Sequence, residues 1–189
     1  MASNFLKKVV IAVSGPPGSG KTTVAKLLAL RLGLRYVSIG QLFREIAKRR
    51  GLSLLELSQI AEKDHSIDRE LDSLARREAE KGGVVIDGHI SAWIVRDIAD
   101  LCVGVIAPFD VRVKRIAQRD GRSIEDVERE TRAREESEAK RFREIYGIDV
   151  KDLTVFDIVI NSAHYNPEQI VEIVLKALKE KLSSKPTAY

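Results

Sequence analysis

The run Gly15-Pro16-Pro17-Gly18-Ser19-Gly20-Lys21-Thr22 constrains this chain more than any other stretch. It fits G-x-x-x-x-G-K-[ST], the phosphate-binding loop. Glycines let the backbone curl so that successive N–H groups point at one anion. Lys21 then reaches the outer phosphates of a nucleotide, and the Thr22 hydroxyl is offered to Mg²⁺. A helix starting here aims its positive dipole end at the same phosphates. The context fits as well. Residues 8–14 form a nearly unbroken apolar run, as in a strand buried in a parallel sheet. Residues 23–32 are helical in composition and are stopped by Gly33. Strand, loop and helix come in the order the motif requires, which separates it from a Gly-Pro turn that matches by chance.

A chain of 189 residues suits one domain with a full core. Its 32 Lys and Arg exceed its 28 Asp and Glu, for a net charge of +4. That mild excess suits phosphate-bearing ligands and does not by itself argue for nucleic acid. Cys102 is the only cysteine, which excludes an intrachain disulfide and a cysteine-based metal site. Lying in an apolar run, it reads as a small buried hydrophobe. The apolar run at 9–13 is too short for a signal peptide or a membrane span. The expectation is a cytoplasmic monomer with no membrane or nucleic-acid partner.

Further apolar runs at 34–38, 83–87, 101–106 and 156–161 alternate with helical segments. Five such strands predict an α/β fold with a parallel sheet. Ligands then gather at the carboxyl ends of the strands, which carry Ser14, Ser38, Asp87, Ala107 and Asn161. Two helical stretches interrupt the alternation. The first spans 41–81, with a capping box at Ser53 and Glu56 and a break at 63–66 before another helix. The second spans 123–146, starts at a Ser123 cap and is flanked by Gly121 and Gly147. Glu125–Arg129, Glu128–Arg132, Glu130–Arg134 and Glu136–Lys140 are spaced for i,i+4 pairs along it. Few apolar residues mark a core-facing stripe there, so a largely solvated helix is expected. The tail at 183–189 reads as frayed.

Phosphoryl transfer needs positive charge around the moving group, a metal and exclusion of water. Arg115 and Arg119 share a helix face just before Gly121, and Arg134 and Arg141 share one in the second helical stretch. Arginines so placed either serve a phosphate or lace a surface helix with ion pairs. Arg44 either faces an anion beyond the second strand or decorates a helix with Lys48 and Arg49. Asp87, ending a strand, can hold Mg²⁺ or merely cap a turn. Asp68 and Asp72, one helical turn apart, can contact a base or sugar or be solvated helix acids.

With these residues assembled, the chain resembles the nucleoside monophosphate kinases, closest to the cytidylate kinases of archaeal type. The resemblance is carried by residues 15–23, Ser38-Ile39-Gly40-Gln41-Leu42-Phe43-Arg44, Ser66-Ile67-Asp68, Asp87-Gly88, residues 134–142, Tyr146-Gly147-Ile148-Asp149 and residues 156–161. It implies a P-loop kinase fold: a five-stranded parallel sheet flanked by helices, formed by 1–40, 82–121 and 148–182. The helical insert 41–81 would bind the acceptor monophosphate, and 122–147 would be a lid. It implies ATP and Mg²⁺, held by residues 15–23 and Arg115, with Thr22 and Asp87 at the metal. Ser38, Gly40, Arg44, Asp68, Gly88 and His89 would hold CMP or dCMP. Lys21, Arg119, Arg134 and Arg141 would surround the transferring group. The alternatives are another small-molecule kinase, such as an adenylate kinase, and a non-transferring nucleotide switch. One departure stands out: His89 occupies a position where the family usually has Arg. An imidazole replaces a permanent bidentate clamp there. Either Arg96 takes over part of that role, or the phosphate is held less firmly. Alternatively, His89 turns away and packs beside Trp93.

Overall fold

The computed structural model describes residues 8–184. In chain order the elements are β1 (Val10–Ser14), α1 (Lys21–Leu32), β2 (Arg35–Ser38), α2 (Ile39–Arg49), α3 (Leu54–Ala61), α4 (Ser66–Glu80), β3 (Val84–Gly88), α5 (Ser91–Ile94), β4 (Leu101–Ile106), α6 (Phe109–Asp120), α7 (Ile124–Tyr146), β5 (Ile158–Asn161) and α8 (Pro167–Ser183). The strands form one sheet in the order β2-β3-β1-β4-β5, and every pairing is parallel.

Alternation along β1 explains the layers. Val9, Ile11 and Val13 pack with Val24 and Leu28 of α1 and Ile170 and Val174 of α8. Val10 and Ala12 point the other way, onto Ala75 and Ala79 of α4 and Val95. Both faces are covered, so the strand must be apolar throughout. Cys102 is buried in the second layer as a free thiol. Register then aligns the strand ends: Ser14 lies beside Gly88 and Gly104, and Ser38 beside Asp87. Among the described residues, no helix is long and apolar enough to cross a membrane.

The first helical stretch resolves into α2, α3 and α4, which share a small core of Ala47, Leu57, Ala61, Ile67 and Leu71. The expected capping box at Ser53 and Glu56 is present. The second stretch is one helix of 23 residues, α7. It departs from the solvated helix expected. Val127, Thr131, Ser137, Glu138, Arg141 and Phe142 are buried, so α7 lies against α3, α4 and α6. Its inner face is largely polar and is satisfied by bonds to distant partners, which an apolar stripe cannot reveal. Of the four expected intrahelical pairs, Glu128–Arg132 forms. Arg129 instead pairs with Asp126, Glu130 with Arg122 and Lys140 with Glu62. The tail also differs, because α8 continues through Ser183; residues 185–189 lie outside those described.

Candidate active site

A cavity of about 360 Å³ opens at the carboxyl edge of the sheet. Pro17, Gly18, Gly20, Lys21, Thr22 and Thr23 of the phosphate loop line it with Gly40, Arg44, Asp68, His89, Arg115, Arg119, Arg134 and Arg141, while Gly15, Pro16, Ser19, Ser38, Asp87 and Gly88 are not among its lining residues. Residues predicted from six separate segments therefore meet in one place.

The loop's glycines are required by close approach. A Cβ on Gly15 would sit 2.0 Å from the Val105 carbonyl oxygen, and one on Gly18 would sit 2.6 Å from that of Arg112. Gly20, at φ 88°, precedes the first turn of α1 in a conformation that favours glycine. The Lys21 Nζ donates to the Pro16 carbonyl at 3.3 Å. Burial pushes its pKa below the usual lysine range, while Asp87 and Glu138 pull it back up.

Asp87, the penultimate residue of β3, is 1% exposed. Its Oδ2 accepts from Thr22 Oγ1 at 2.7 Å, and from Tyr36 and Ser38 hydroxyls at 3.0 Å each. Burial and the Asp87 charge push the Tyr36 phenol up to about 12. The Asp87 Oδ1 is buried without a hydrogen-bond partner among the described residues. An orphaned carboxylate oxygen beside a threonine hydroxyl is the hard-oxygen donor set a divalent cation takes, so these residues fit Mg²⁺. Ser38 also caps α2, accepting from the Gln41 N–H. Burial and the nearby Arg119 and Arg134 charges press the pKa of Arg44 below its ordinary value, although Asp87 opposes them. That crowding of cations is what a polyanion would relieve.

His89 faces the cavity. Its Nδ1 lies 2.6 Å from Glu138 Oε2, and its ring meets Phe142 edge-on at 5.6 Å. Trp93 packs on Phe156 instead, so the His89–Trp93 stack is absent. Arg96 does not substitute for the missing arginine: its guanidinium is paired with Asp157 at 3.0 Å, away from the cavity. Asp157 also accepts from the Cys102 N–H and pairs with Lys181, which fixes Arg96 to the β4–β5 side. Glu138 Oε1 lies 3.5 Å from Arg134. Burial alone would raise the Glu138 carboxyl, but the His89 bond and the charges of His89, Arg134 and Arg141 outweigh it and hold it near 2.

Arg141 and Asp68 were expected to contact substrate separately. They instead bind each other, at 2.7 Å and 3.4 Å, with further bonds from Arg141 to Ser137 Oγ and the Ser58 carbonyl. Arg141 is only 1% exposed. Arg119 is held by the neighbouring Asp120 at 2.7 Å, and Arg115 donates to the Ser162 hydroxyl and carbonyl at 2.8 Å each.

Several residues of the site escaped the sequence reading. Arg112, at 6% exposure, donates to the Ala107 carbonyl and to the Pro17 carbonyl of the phosphate loop, and it pairs with Glu135 of α7. Tyr146 donates to Asp72 Oδ2 at 2.7 Å. Glu138 carried one readable signal: it lies four residues after Arg134 and three before Arg141, on the same helix face.

Residues 10–164 match the family described as cytidylate kinase-like. The chain is 52% identical over 176 residues to a curated cytidylate kinase from Staphylothermus marinus, covering 91% of this chain and 99% of that protein. It is 48% identical over 177 residues to one from Pyrobaculum aerophilum, covering 94% and 96%. Among solved structures, shikimate kinase from Acinetobacter baumannii, in complex with shikimate, superposes with a TM-score of 0.61 at 19% identity, covering 97% of this chain and 98% of that one. That likeness speaks for the P-loop kinase fold alone. A phosphate loop, a facing ring of cations and relatives matched along nearly their whole length lead to one conclusion: the chain belongs to the cytidylate kinase-like family.

Proposed function

We propose that the chain transfers the γ-phosphoryl group of ATP to CMP, and to dCMP, giving CDP or dCDP and ADP. The observation that carries this reading is identity of about half to curated cytidylate kinases over most of the chain, joined to one cavity in which the phosphate loop faces a second set of cations. An oxygen of the acceptor phosphate attacks the γ-phosphorus as the bond to the β–γ bridging oxygen breaks. That oxygen is already a nucleophile, so no strong general base is needed. Lys21, Arg119, Arg134 and Arg141 are assigned to the charge around the transferring group. Arg115 is assigned to the donor, and Ser38, Gly40, Arg44, Asp68, Gly88 and His89 to the acceptor. Thr22 and Asp87 would hold Mg²⁺, which when bound supplies positive charge to the outer phosphates. Transfer to AMP is the weaker reading, because the curated relatives bear the name cytidylate kinase. ADP formation with CMP, dCMP, UMP, AMP and shikimate, beside a control lacking acceptor, tests the assignment. CMP and dCMP should be the best acceptors, and ADP release independent of acceptor would overturn transfer.

A further inference from the structure

The cavity is polarised. Lys21, Arg44, His89 and Arg134 gather near the phosphate loop. The helical insert and its cover add the walls Phe43, Leu54, Leu71 and Phe142, with Asp68, its partner Arg141, and Asp72 among them. A nucleoside monophosphate has the same asymmetry, with a charged phosphate at one end and a flat ring with a polar edge at the other. The cations fix which end goes where.

The two carboxylates are not equivalent. Both oxygens of Asp68 are taken by Arg141. Asp72 is 9% exposed, its Oδ2 accepts from the Tyr146 hydroxyl, and its Oδ1 has no hydrogen-bond partner among the described residues. One acceptor atom therefore remains free beside the apolar walls. Cytosine presents an amino donor at N4, where uracil presents the O4 acceptor. Resting on the kinase reading above, we propose that Asp72 is the specificity-determining residue for the acceptor base, its Oδ1 accepting from the cytosine amino group while Tyr146 holds the carboxyl in place. Uracil would set oxygen against oxygen at the same point.

Burial pushes the Asp72 carboxyl up to about 7. The charged or titratable groups facing it are Asp68 on its own helix and Tyr146 and Arg141 from α7. Phe43 and Leu54, the nearby walls from α2 and α3, carry no charge, and Arg44 of α2 interacts with Arg119, Asp87 and Arg134. The Tyr146 proton occupies Oδ2, so a proton taken up by Asp72 goes to Oδ1. There it can be donated to uracil O4, and discrimination fades. Selectivity for CMP over UMP should therefore rise as pH climbs through about 7.

The test compares kcat/KM for CMP and UMP in the parent and in Asp72→Asn at about pH 6 and about pH 8.5, which bracket that titration. An amide both accepts and donates, so Asp72→Asn should lower the CMP/UMP ratio roughly tenfold, largely by gain on UMP. It should also abolish the dependence of the ratio on pH, with the KM for ATP little changed. A second measurement needs no variant: the monophosphate of the 2-pyrimidinone riboside, which is CMP without its amino group, should lose roughly tenfold in kcat/KM with the parent. An unchanged ratio in Asp72→Asn, or full activity on the amino-free analogue, would overturn the role of Asp72 while leaving the kinase reading intact. Should Asp72→Asn fail to fold, the analogue decides. No phosphorylation of CMP by the parent would overturn both.

Discussion

The sheet and its cover are both well packed, yet they are joined by different chemistry. In the sheet, Ile11, Val13, Val85 and Val103 are fully buried among apolar neighbours. Where α7 meets the insert, buried Arg141 pairs with buried Asp68, half-buried Tyr146 bonds buried Asp72, and buried Glu138 meets half-buried His89 on the β3 side. Apolar burial has no alternative partner except water, and exposing it costs about 25 cal/mol per Å². A buried ion pair gains in attraction about what it loses in desolvation, so its two halves can be satisfied by other charges. Burial alone is therefore no sign of permanence. The apolar sheet is held by contacts that only water could replace, whereas the polar seam is held by pairs whose halves other charges or hydrogen-bonding groups can satisfy.

The sharpest way to break this comparison is to damage one region and read the other. Ile11→Ala, in the centre of the sheet, should destabilise the fold by about 4 kcal/mol in urea unfolding, with the KM for CMP unchanged in the folded fraction. A large rise in that KM would mean that the sheet and the seam are not separable. Lys21→Ala does the reverse. Its kcat should fall on the order of 10²- to 10³-fold, while the thermal melt stays close to the parent's. Near-parental turnover in a folded variant would remove Lys21 from the transfer site. Asp68→Ala leaves Arg141 buried and unpaired and should cost about 3 kcal/mol. Asp68→Leu together with Arg141→Met should restore most of that stability without restoring activity. If the double variant is no more stable than the single, the seam is not an exchangeable ion pair.

The mildest effect is one of slope. Asp72 titrates at about 7 folded, against an ordinary 3.8. A raised carboxyl adds stability fully below its unfolded value and loses it as pH rises through the folded one. The parent's melting temperature should therefore fall between about pH 4 and pH 7 by more than that of Asp72→Asn. Parallel curves would show that Asp72 is not held protonated.

The same division explains what could be read in the sequence. Residues 101–106 announce β4 because a strand covered on both faces tolerates little but Val, Leu, Ile and small residues, and the observed strand has those bounds. The phosphate loop and the Ser53 capping box were equally plain, since each is a local device whose parts lie within a few residues. The polar seam was opaque. His89 meets Glu138 across 49 positions and Tyr146 meets Asp72 across 74, and no periodicity encodes such meetings. For the same reason α7 looked solvated, because its inward face is built of Ser137, Glu138 and Arg141 rather than leucines. Arg96 misled because its direction depends on the short α5 and on the distant Asp157.

Arg112 gives the two regions a shared pivot. Its side chain holds the Pro17 carbonyl of the phosphate loop and Glu135 of α7, and its backbone lies under Gly18. A junction of this kind makes the two binding events thermodynamically linked. Whatever factor an acceptor nucleotide gains or loses through that junction, the donor must gain or lose in equal measure, whichever arrives first. The chain thus needs no separate messenger between its two sites: calorimetric titration of either nucleotide against the other would register the reciprocity as a single coupling constant, and Arg112→Ala should drive it toward one.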